Sequence, residues 1–307
     1  MSLFSPADIV SLRALPCREL ISRALETKLA RRGKSLSLCS IINAKSGQCS
    51  EDCRFCTQSV HFKTDTPVYP LKTSEQIIAA ARQAKEDGAS HFSIVTSGRG
   101  ITDRLLPAVA DIIAAIKDQV DIHVCASLGI ASQQDLQALK QAGLSRYHHN
   151  LETSREFFPN IVTTHTFDER VSTIQAAQQA GLEVCAGGII GLGESETDRI
   201  SMAVTLAELR VESVPINILI PLAGTPLAQT KPLGIQEILR AIALFRLILP
   251  DAALRLAAGR ESALHDFLSS AFMAGADGMM IGGYLTQRGR SPEMDRQFVQ
   301  AIRDLWQ

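Results

Sequence analysis

The sequence predicts a (β/α)8 barrel of the TIM type with an extra helix at its N-terminal end. Short apolar runs rich in β-branched residues alternate with amphipathic segments, whose apolar residues recur at every third or fourth position. This alternation indicates parallel strands joined by right-handed crossovers. Eight such units in 307 residues favour a closed barrel, although an open doubly wound sheet also fits the alternation.

The elements follow one another without a break in composition, so residues 1–307 are expected to form one domain. The leading segment, 1–34, contains a predicted helix over 6–31. Strands are predicted at 36–42, 90–96, 121–127, 145–151, 183–190, 214–221, 253–257 and 278–282. Helices are predicted at 74–87, 102–118, 131–142, 167–180, 195–209, 234–249, 261–274 and 292–305. The longest insertion, the loop at 44–72, follows the first strand at the end where such barrels carry their active sites.

Composition and charge exclude several classes of protein. Hydrophobic residues make up 46% of the chain, yet no apolar run approaches the ~20 residues that span a bilayer, so we expect no membrane segment. The formal net charge is −1 with scattered lysine and arginine, which argues against a nucleic-acid surface and favours a small-molecule partner. Seven cysteines, an odd number, do not suggest a secreted disulfide framework. A reducing, cytoplasmic setting is therefore expected, without a signal or transit peptide.

The 44–72 loop contains three thiols in a stretch of eight residues, Cys49-Ser-Glu-Asp-Cys53-Arg-Phe-Cys56. Thiolates this close repel one another and oxidise readily unless they bind a cation or cluster. Zinc sites usually take four protein ligands, whereas three thiolates without a local fourth suit a four-iron cluster with one open iron. A zinc knuckle and stray reactive cysteines are the alternatives. The spacing resembles that of radical S-adenosylmethionine enzymes, in which the amino acid end of the nucleotide binds the open iron.

Polar residues at alternate positions of the predicted strands are expected to point into the barrel, because the outer face of each strand packs against helices. By this rule Cys39, Cys125 and Cys185 point inwards from strands one, three and five. Arg255 points inwards from strand seven without an acid on its own strand, so its burial requires an anion or ligand. A buried free cysteine is often only a small hydrophobic residue, and Cys17 on the leading helix is interpreted as structural. Three thiols and a guanidinium that converge can also hold a second iron–sulfur cluster.

The chain from about residue 35 to residue 290 resembles the biotin synthases, a family of radical S-adenosylmethionine enzymes. The resemblance rests on the cysteine loop and on the stretches 147–153, 184–194, 212–217, 224–226 and 255–261. It implies that Cys49, Cys53 and Cys56 hold a [4Fe-4S] cluster together with S-adenosylmethionine. It also implies an auxiliary cluster, held by barrel cysteines and an arginine, that supplies sulfur.

One position departs from the family pattern. The resemblance places Cys125, Cys185 and Arg255 at auxiliary-cluster positions, but the strand-two position holds Ser93. A serine hydroxyl is a harder and far less acidic iron donor than a thiol. Because Cys39 lies on the neighbouring strand one in the same inward register, we expect it to replace the missing thiol. The auxiliary cluster is then expected to bind three cysteines, with Arg255 nearby or ligating, as [2Fe-2S] or a variant of different nuclearity.

The resemblance also implies a set of residues that bind S-adenosylmethionine or substrate: Asn150, Glu152, Arg170, Gly187, Gly188, Gly191 and Asn217. The glycine-rich turn matches the stretch that lines the adenine. Asn150 and Glu152 match residues for substrate and ribose, and Arg170 matches the partner of the methionyl carboxylate. Asn217 is expected to present an inward amide to the ureido ring or the nucleotide.

The implied activity is conversion of dethiobiotin to biotin. The reduced four-iron cluster is expected to cleave S-adenosylmethionine, and the resulting 5′-deoxyadenosyl radical removes hydrogen from carbon so that sulfur enters from the auxiliary cluster. A reducing electron donor and a homodimer are further expectations. The alternatives are a related radical enzyme, of the methylornithine synthase or hydrogenase-maturation kind, and a non-catalytic iron–sulfur scaffold or zinc-binding barrel.

Overall fold

A closed barrel of parallel strands forms the centre of the computed structural model, which describes residues 6–284 and 287–306. Its strands are β1 (Ser37–Lys45), β2 (His91–Thr96), β3 (His123–Ser127), β4 (Arg146–His148), β5 (Glu183–Cys185), β6 (Gly188–Ile190), β7 (Ser213–Ile218), β8 (Ala253–Leu256) and β9 (Gly278–Met280). They pair in the order β5-β4-β3-β2-β1-β9-β8-β7-β6, and pairing of β5 with β7 closes the ring. Because β5 and β6 both pair with β7, they occupy one barrel position. The predicted (β/α)8 barrel is confirmed.

Helices surround the barrel. They are α1 (Pro6–Ala14), α2 (Cys17–Arg32), α3 (Ser74–Glu86), α4 (Leu105–Gln119), α5 (Gln133–Gln141), α6 (Phe167–Gln179), α7 (Glu196–Glu208), α8 (Ile235–Ile248), α9 (Arg260–Leu264), α10 (Leu268–Met273) and α11 (Pro292–Leu305). Capping boxes at Thr73, Ser132, Thr166 and Ser195 fix where α3, α5, α6 and α7 begin, because each hydroxyl accepts from a free amide of the first turn. None of the helices in the described part of the chain combines the length and apolar content needed to cross a membrane.

Three predicted elements are interrupted. The helix predicted over 6–31 is two helices, because Pro16 lacks an amide hydrogen and adopts an extended ψ of 146°. The helix predicted over 261–274 is divided by a 3-10 turn at His265–Phe267, where His265 has a φ of 43°. The strand predicted over 183–190 is interrupted between β5 and β6. There Gly187 lies so close to β7 that an added Cβ would be 2.0 Å from the Pro215 carbonyl oxygen.

A fully buried arginine joins α8 to the amino ends of the last strands. Arg246 forms an ion pair with Asp277 at 3.3 Å, and both side chains are 0% exposed. Arg32, which lies at the edge of the barrel, also forms an ion pair with Asp277, with Nε 2.8 Å from the carboxylate. The Arg246 guanidinium donates to four backbone carbonyls, those of Leu249, Pro250, Ala252 and Gly275. These bonds compensate the burial of the charge.

We expect Arg246→Leu to lower the free energy of unfolding by about 3–5 kcal/mol, because it leaves Asp277 and four carbonyls poorly paired. The measurement is urea denaturation of the chain without cofactors. The control is Arg31→Leu, which removes an exposed ion pair with Asp251 and is expected to lower stability by less than about 1 kcal/mol. Equal losses in the two variants would contradict this account.

Candidate active site

A cavity of about 260 Å³ runs from the 44–72 loop into the barrel. Two groups of cysteines line it, one from the loop and one from the strands: Cys49, Cys53, Cys56, Cys39, Cys125 and Cys185. All six thiols are free. The barrel therefore brings two groups of soft ligands to a single cavity. The alternation of inward residues predicts the inner group.

The loop cysteines are held by backbone hydrogen bonds. The Cys49 amide donates to the Gln58 carbonyl at 3.0 Å, and the Cys56 amide donates to the Cys53 carbonyl at 2.9 Å. Burial, together with the charges of Cys49 and Glu152, raises the pKa of Cys56 to about 11, although a backbone hydrogen bond from Gln58 and the charge of Arg170 lower it. Burial also raises the pKa of Cys53 well above its usual range. Thiolates in this position need a bound cation, so the donor set fits an iron–sulfur cluster.

Two acids between the loop cysteines anchor the loop to the segment before α6, a role that the spacing pattern did not reveal. The buried carboxylate of Glu51 accepts from Thr164 Oγ1 at 2.8 Å and is hydrogen-bonded to His165 Nδ1. Asp52 accepts from the Thr163 amide at 2.9 Å. Burial raises the pKa of Asp52, but hydrogen bonds from Thr163 and Thr164 lower it to about 2. The loop is thus held in place by charge-assisted hydrogen bonds.

Three predicted ligand-binding residues come together beside the loop cysteines. Arg170 donates from Nη1 to the Asn150 carbonyl at 2.9 Å and lies 3.8 Å from Glu152. Its Nε donates to His165 Nε2 at 3.1 Å, so Arg170 also connects to the loop anchor. Glu152 has a φ of 69°, and burial raises the pKa of its carboxyl while Arg170 lowers it. The Arg170 guanidinium and the Glu152 carboxylate, 11% and 12% exposed, therefore line the same cavity as Cys53 and Cys56.

A second cavity of about 140 Å³ adjoins the first. Its walls are mainly apolar, with Ile189, Ile218 and Leu219 opposite Phe55 of the loop. Asn150, Glu152, Cys56 and Asn217 also line it. An apolar slot with a carboxylate and an amide at its rim suits a planar ring that carries a polar group.

The glycines and Asn217 that were predicted to bind ligand have structural roles in the barrel. Gly187, Gly188 and Gly191 are not among the residues that line these two cavities. An added Cβ on Gly188 would lie 2.4 Å from Met202 Sδ, and Gly191 has a φ of 95°, so both positions require glycine for the backbone path. Asn217 lines both cavities, but its amide donates to the Gly188 carbonyl and accepts from the Ala258 amide, each at 3.1 Å. It connects β6 and β7 to the end of β8.

The inner cysteines surround the deeper part of the cavity. Burial raises the pKa of Cys125 to about 12; the charges of Arg146 and Arg255 lower it, and those of Cys185 and Cys39 raise it. The three thiols line the same cavity. Arg146 was missed by sequence reasoning although it stands in the inward register of β4. Its guanidinium binds Glu183 at 2.6 Å, which holds a positive charge beside the thiols.

Several inward polar atoms have no partner in the described chain. The Arg255 guanidinium donates from Nε to Ser213 Oγ at 2.8 Å, and the Cys185 thiol lies 3.4 Å from the same hydroxyl. Arg255 Nη1 and Ser93 Oγ are buried without a hydrogen bond. The Cys39 thiol lies 3.7 Å from the Met279 carbonyl, a weak contact. Unpaired donors around free thiols fit an anionic group such as an iron–sulfur cluster.

Comparison with known proteins identifies the family. The chain is 52% identical to a biotin synthase of Pelotomaculum thermopropionicum over 281 residues, which cover 92% of this chain and 88% of that protein. The chain belongs to the biotin synthase family. Its identity to a biotin synthase of Thermotoga petrophila is 48% over 271 residues, which cover 88% of this chain and 90% of that one.

Two family models match successive parts of the chain. The Radical SAM superfamily matches residues 45–206, and the Biotin and Thiamin Synthesis associated domain matches residues 215–302. Membership of the biotin synthase family makes the chain a radical S-adenosylmethionine enzyme that inserts sulfur. It also brings the cofactors, a [4Fe-4S] cluster, S-adenosylmethionine and an auxiliary iron–sulfur cluster. The interpretations as a zinc-binding barrel and as a non-catalytic scaffold therefore do not hold.

Solved structures share the fold. A methylornithine synthase superimposes with a TM-score of 0.83 at 18% identity, covering 97% of this chain and 92% of that one. An FeFe-hydrogenase maturase from Carboxydothermus hydrogenoformans superimposes with a TM-score of 0.80 at 17% identity, covering 95% of this chain and 73% of that one. At these identities the likeness concerns the barrel alone, so the activity follows from the biotin synthase relatives.

Proposed function

We propose that this chain converts dethiobiotin to biotin, using a reducing electron donor, as a homodimer of one-domain subunits in the cytoplasm. One observation carries the proposal: two groups of three cysteines open on a single cavity within the barrel. A radical generated at one group can therefore meet a substrate and a sulfur source in the same cavity. Close placement of these partners is needed because a carbon radical would otherwise attack the protein.

We assign Cys49, Cys53 and Cys56 to the [4Fe-4S] cluster. With S-adenosylmethionine bound, that cluster would supply the 5′-deoxyadenosyl radical. The protein contributes a loop that is held by Glu51 and Asp52 against the segment before α6. Because each carboxylate accepts several hydrogen bonds, the three thiols keep their relative positions when the electron donor docks.

S-adenosylmethionine is proposed to bind between the loop and the residues at the ends of β4, β6 and β7. Arg170 is a suitable partner for the methionyl carboxylate, since guanidinium binds carboxylate through two parallel hydrogen bonds. Glu152 can accept from the ribose hydroxyls, and Asn150 contacts nucleotide or substrate from the same rim. The glycine-rich turn of 187–191 lets the backbone approach the adenine, although its glycines do not line the described cavities. Asn217 orients that turn through its bond to Gly188.

We assign the auxiliary cluster to Cys39, Cys125 and Cys185. Arg255 stands beside them with an unpaired Nη1, and its Nε is fixed by Ser213. In the sheet, Ser93 pairs with Cys125 on one side and with Ile41 on the other, so Cys39 stands one inward position from the serine's level. This spacing supports Cys39 as the thiol that replaces the missing strand-two cysteine.

The assignment of Cys39 predicts unequal effects of two small substitutions. Cys39→Ala is expected to lose most of the iron and sulfide of the auxiliary cluster, because it removes one of three thiolates. Ser93→Ala is the matched control on the neighbouring strand and is expected to keep the full content, since a serine hydroxyl is a poor iron ligand. Iron and acid-labile sulfide are counted after anaerobic reconstitution. Full auxiliary content in Cys39→Ala, or its loss in Ser93→Ala, would overturn the assignment.

The activity itself is tested with the anaerobically reconstituted chain, a reductant, S-adenosylmethionine and dethiobiotin. We expect 5′-deoxyadenosine and biotin to form together, and biotin to be absent when dethiobiotin is omitted. Failure to form 5′-deoxyadenosine would reject the assignment of the loop cysteines. Formation of 5′-deoxyadenosine without biotin would reject dethiobiotin as the substrate.

A further inference from the structure

The inward row of side chains at the amino-terminal end of the barrel is polar or small. Each member stands two residues before a residue that lines the main cavity, so it belongs to the same inward face. The polar members of this amino-end row are Ser37, His91, His123, Arg146, Glu183 and Ser213. The two remaining barrel positions contribute Ala253 and Gly278. Bulky branched residues usually fill the interior of a TIM barrel, so polar and small side chains here take their place.

Two contacts within the amino-end row connect the cavity to the outer surface. His91 lines the cavity and stacks on the exposed His123, with ring centroids 5.0 Å apart. Arg146 also lines the cavity, and it binds Glu183 at 2.6 Å. The Glu183 side chain is 52% exposed. In each pair one side chain faces the cavity of the inner thiols and its partner faces solvent, so a single row of side chains separates the two.

A groove outside the barrel reaches the same row. It has a volume of about 550 Å³ and lies between α11 and the amino ends of β1 and β2, where Ser37 and Ser90 line it. Ser90 Oγ is hydrogen-bonded to His91 Nδ1 at 2.8 Å. A Cβ added to Gly278 would lie 3.0 Å from Ser37 Oγ and 3.1 Å from Arg255 Cγ. The glycine therefore leaves space between a serine of the groove and the inner guanidinium.

The charges at this end of the barrel favour a small anion. Arg146 and Glu183 neutralise each other, whereas Arg255 adds a positive charge at the inner end, beside the thiols. If the proposed function is correct, each turnover removes sulfide from the inner site, which must then be supplied again. S-adenosylmethionine and dethiobiotin occupy the carboxyl side of the cavity in that proposal, so the amino end is the free approach.

We propose that inorganic sulfide, as the hydrosulfide anion, enters through the amino-end row and reaches the inner cysteines. The row acts as a polar passage whose residues guide the anion towards Arg255. Sulfide passes without oxidation or reduction, so its entry requires no co-reactant. The loop cysteines and the residues for S-adenosylmethionine take no part in this step.

The first test uses the reconstituted wild-type chain and sodium sulfide labelled with ³⁴S. After one anaerobic turnover the small molecules are removed, labelled sulfide and iron are added, and ³⁴S in the acid-labile sulfide of the chain is followed by mass spectrometry. Uptake is measured with and without saturating S-adenosylmethionine and dethiobiotin, in the absence of reductant. Because these ligands fill the carboxyl side of the cavity, we expect the same rate of uptake in both samples. Uptake that stops when they are bound, or that never occurs, would overturn the proposal.

The second test narrows the amino-end row with the double variant Ser37→Leu, His123→Trp. The matched control is Ser35→Leu, Asp118→Trp, which adds the same side chains at exposed positions near the same end of the barrel. We expect sulfide uptake by the row variant to slow by about tenfold or more, because close-packed side chains leave little room for an anion to pass. The control is expected to keep the wild-type rate. Equal rates in the two double variants would contradict entry through this row.

The first test needs no variant, so it remains decisive if the row variant does not fold. The proposed function and the entry route also fail separately. Absence of biotin from the first turnover of the wild-type chain rejects the proposed function. Biotin formation followed by uptake that the bound ligands block rejects only the route through the amino-end row.

Discussion

Cys185→Ala is expected to reduce biotin formation to background while 5′-deoxyadenosine still forms from S-adenosylmethionine. Cys185 is 2% exposed and belongs to the inner group, where its thiol lies against Ser213 and lines the same cavity as Cys125. Its removal takes a ligand from the proposed sulfur source but leaves the loop, its anchoring acids and Arg170 unchanged. Both products are measured by chromatography after anaerobic turnover with dethiobiotin.

The control for Cys185→Ala is Cys17→Ala. The Cys17 thiol lies on α2, half-buried against the Gln236 carbonyl at 3.9 Å and away from the cavity, so biotin formation is expected to stay at the wild-type level. Retention of biotin formation in Cys185→Ala would show that the inner thiols do not supply sulfur. Loss of 5′-deoxyadenosine as well would show that the two cysteine groups do not act separately.

Cys53→Ala is expected to abolish both products. Cys53 is buried in the middle of the loop motif, where its charge interacts with Cys49, Cys56 and Arg170. Two thiolates do not hold a four-iron cluster with a single open iron, so no radical forms and no hydrogen leaves the substrate. The readouts are the iron content of the loop site and the rate of 5′-deoxyadenosine formation, which is expected to fall to that of the protein-free mixture.

An exposed residue of the same loop serves as the control for Cys53→Ala. The Arg54 side chain donates to the Asn160 carbonyl at 3.2 Å, and Arg54→Ala is expected to keep iron content and turnover near wild type. A Cys53→Ala protein that still produces 5′-deoxyadenosine would place the four-iron cluster elsewhere. Together with Cys185→Ala, this pair distinguishes generation of the radical from use of the radical.

Much of the fold was accessible from local patterns. The alternation of strand and helix periods predicts eight barrel positions, and the structure has them, because each pattern reflects which face of an element is buried. The predicted helices and strands are wrong where a single residue interrupts an element that the hydrophobic periodicity would continue. Pro16 ends a helix that the periodicity would continue, and Gly187 interrupts a strand because β7 approaches its backbone too closely. The first override is visible in the sequence, whereas the second depends on a contact with Pro215.

Some features of the candidate site also follow from local sequence patterns, whereas others depend on tertiary contacts. The cysteine loop and the inward register of Cys39 and Cys125 follow from spacing and strand alternation, which are local properties. Two other contacts do not follow from local properties. His165 anchors Glu51 from 114 residues away, and Ser213 contacts both Cys185 and Arg255. Such partners meet only when the strands have paired in one register and the barrel has closed.

By itself, the sequence determined the barrel, the cluster-binding loop and the family, because residue type, period and spacing carry that information along the chain. The tertiary structure decided which side chains share a space. It placed Arg146 and His148 between the inner cysteines and committed the amide of Asn217 to the backbone. The physical reason is that non-local contacts are fixed by the closure and register of the sheet.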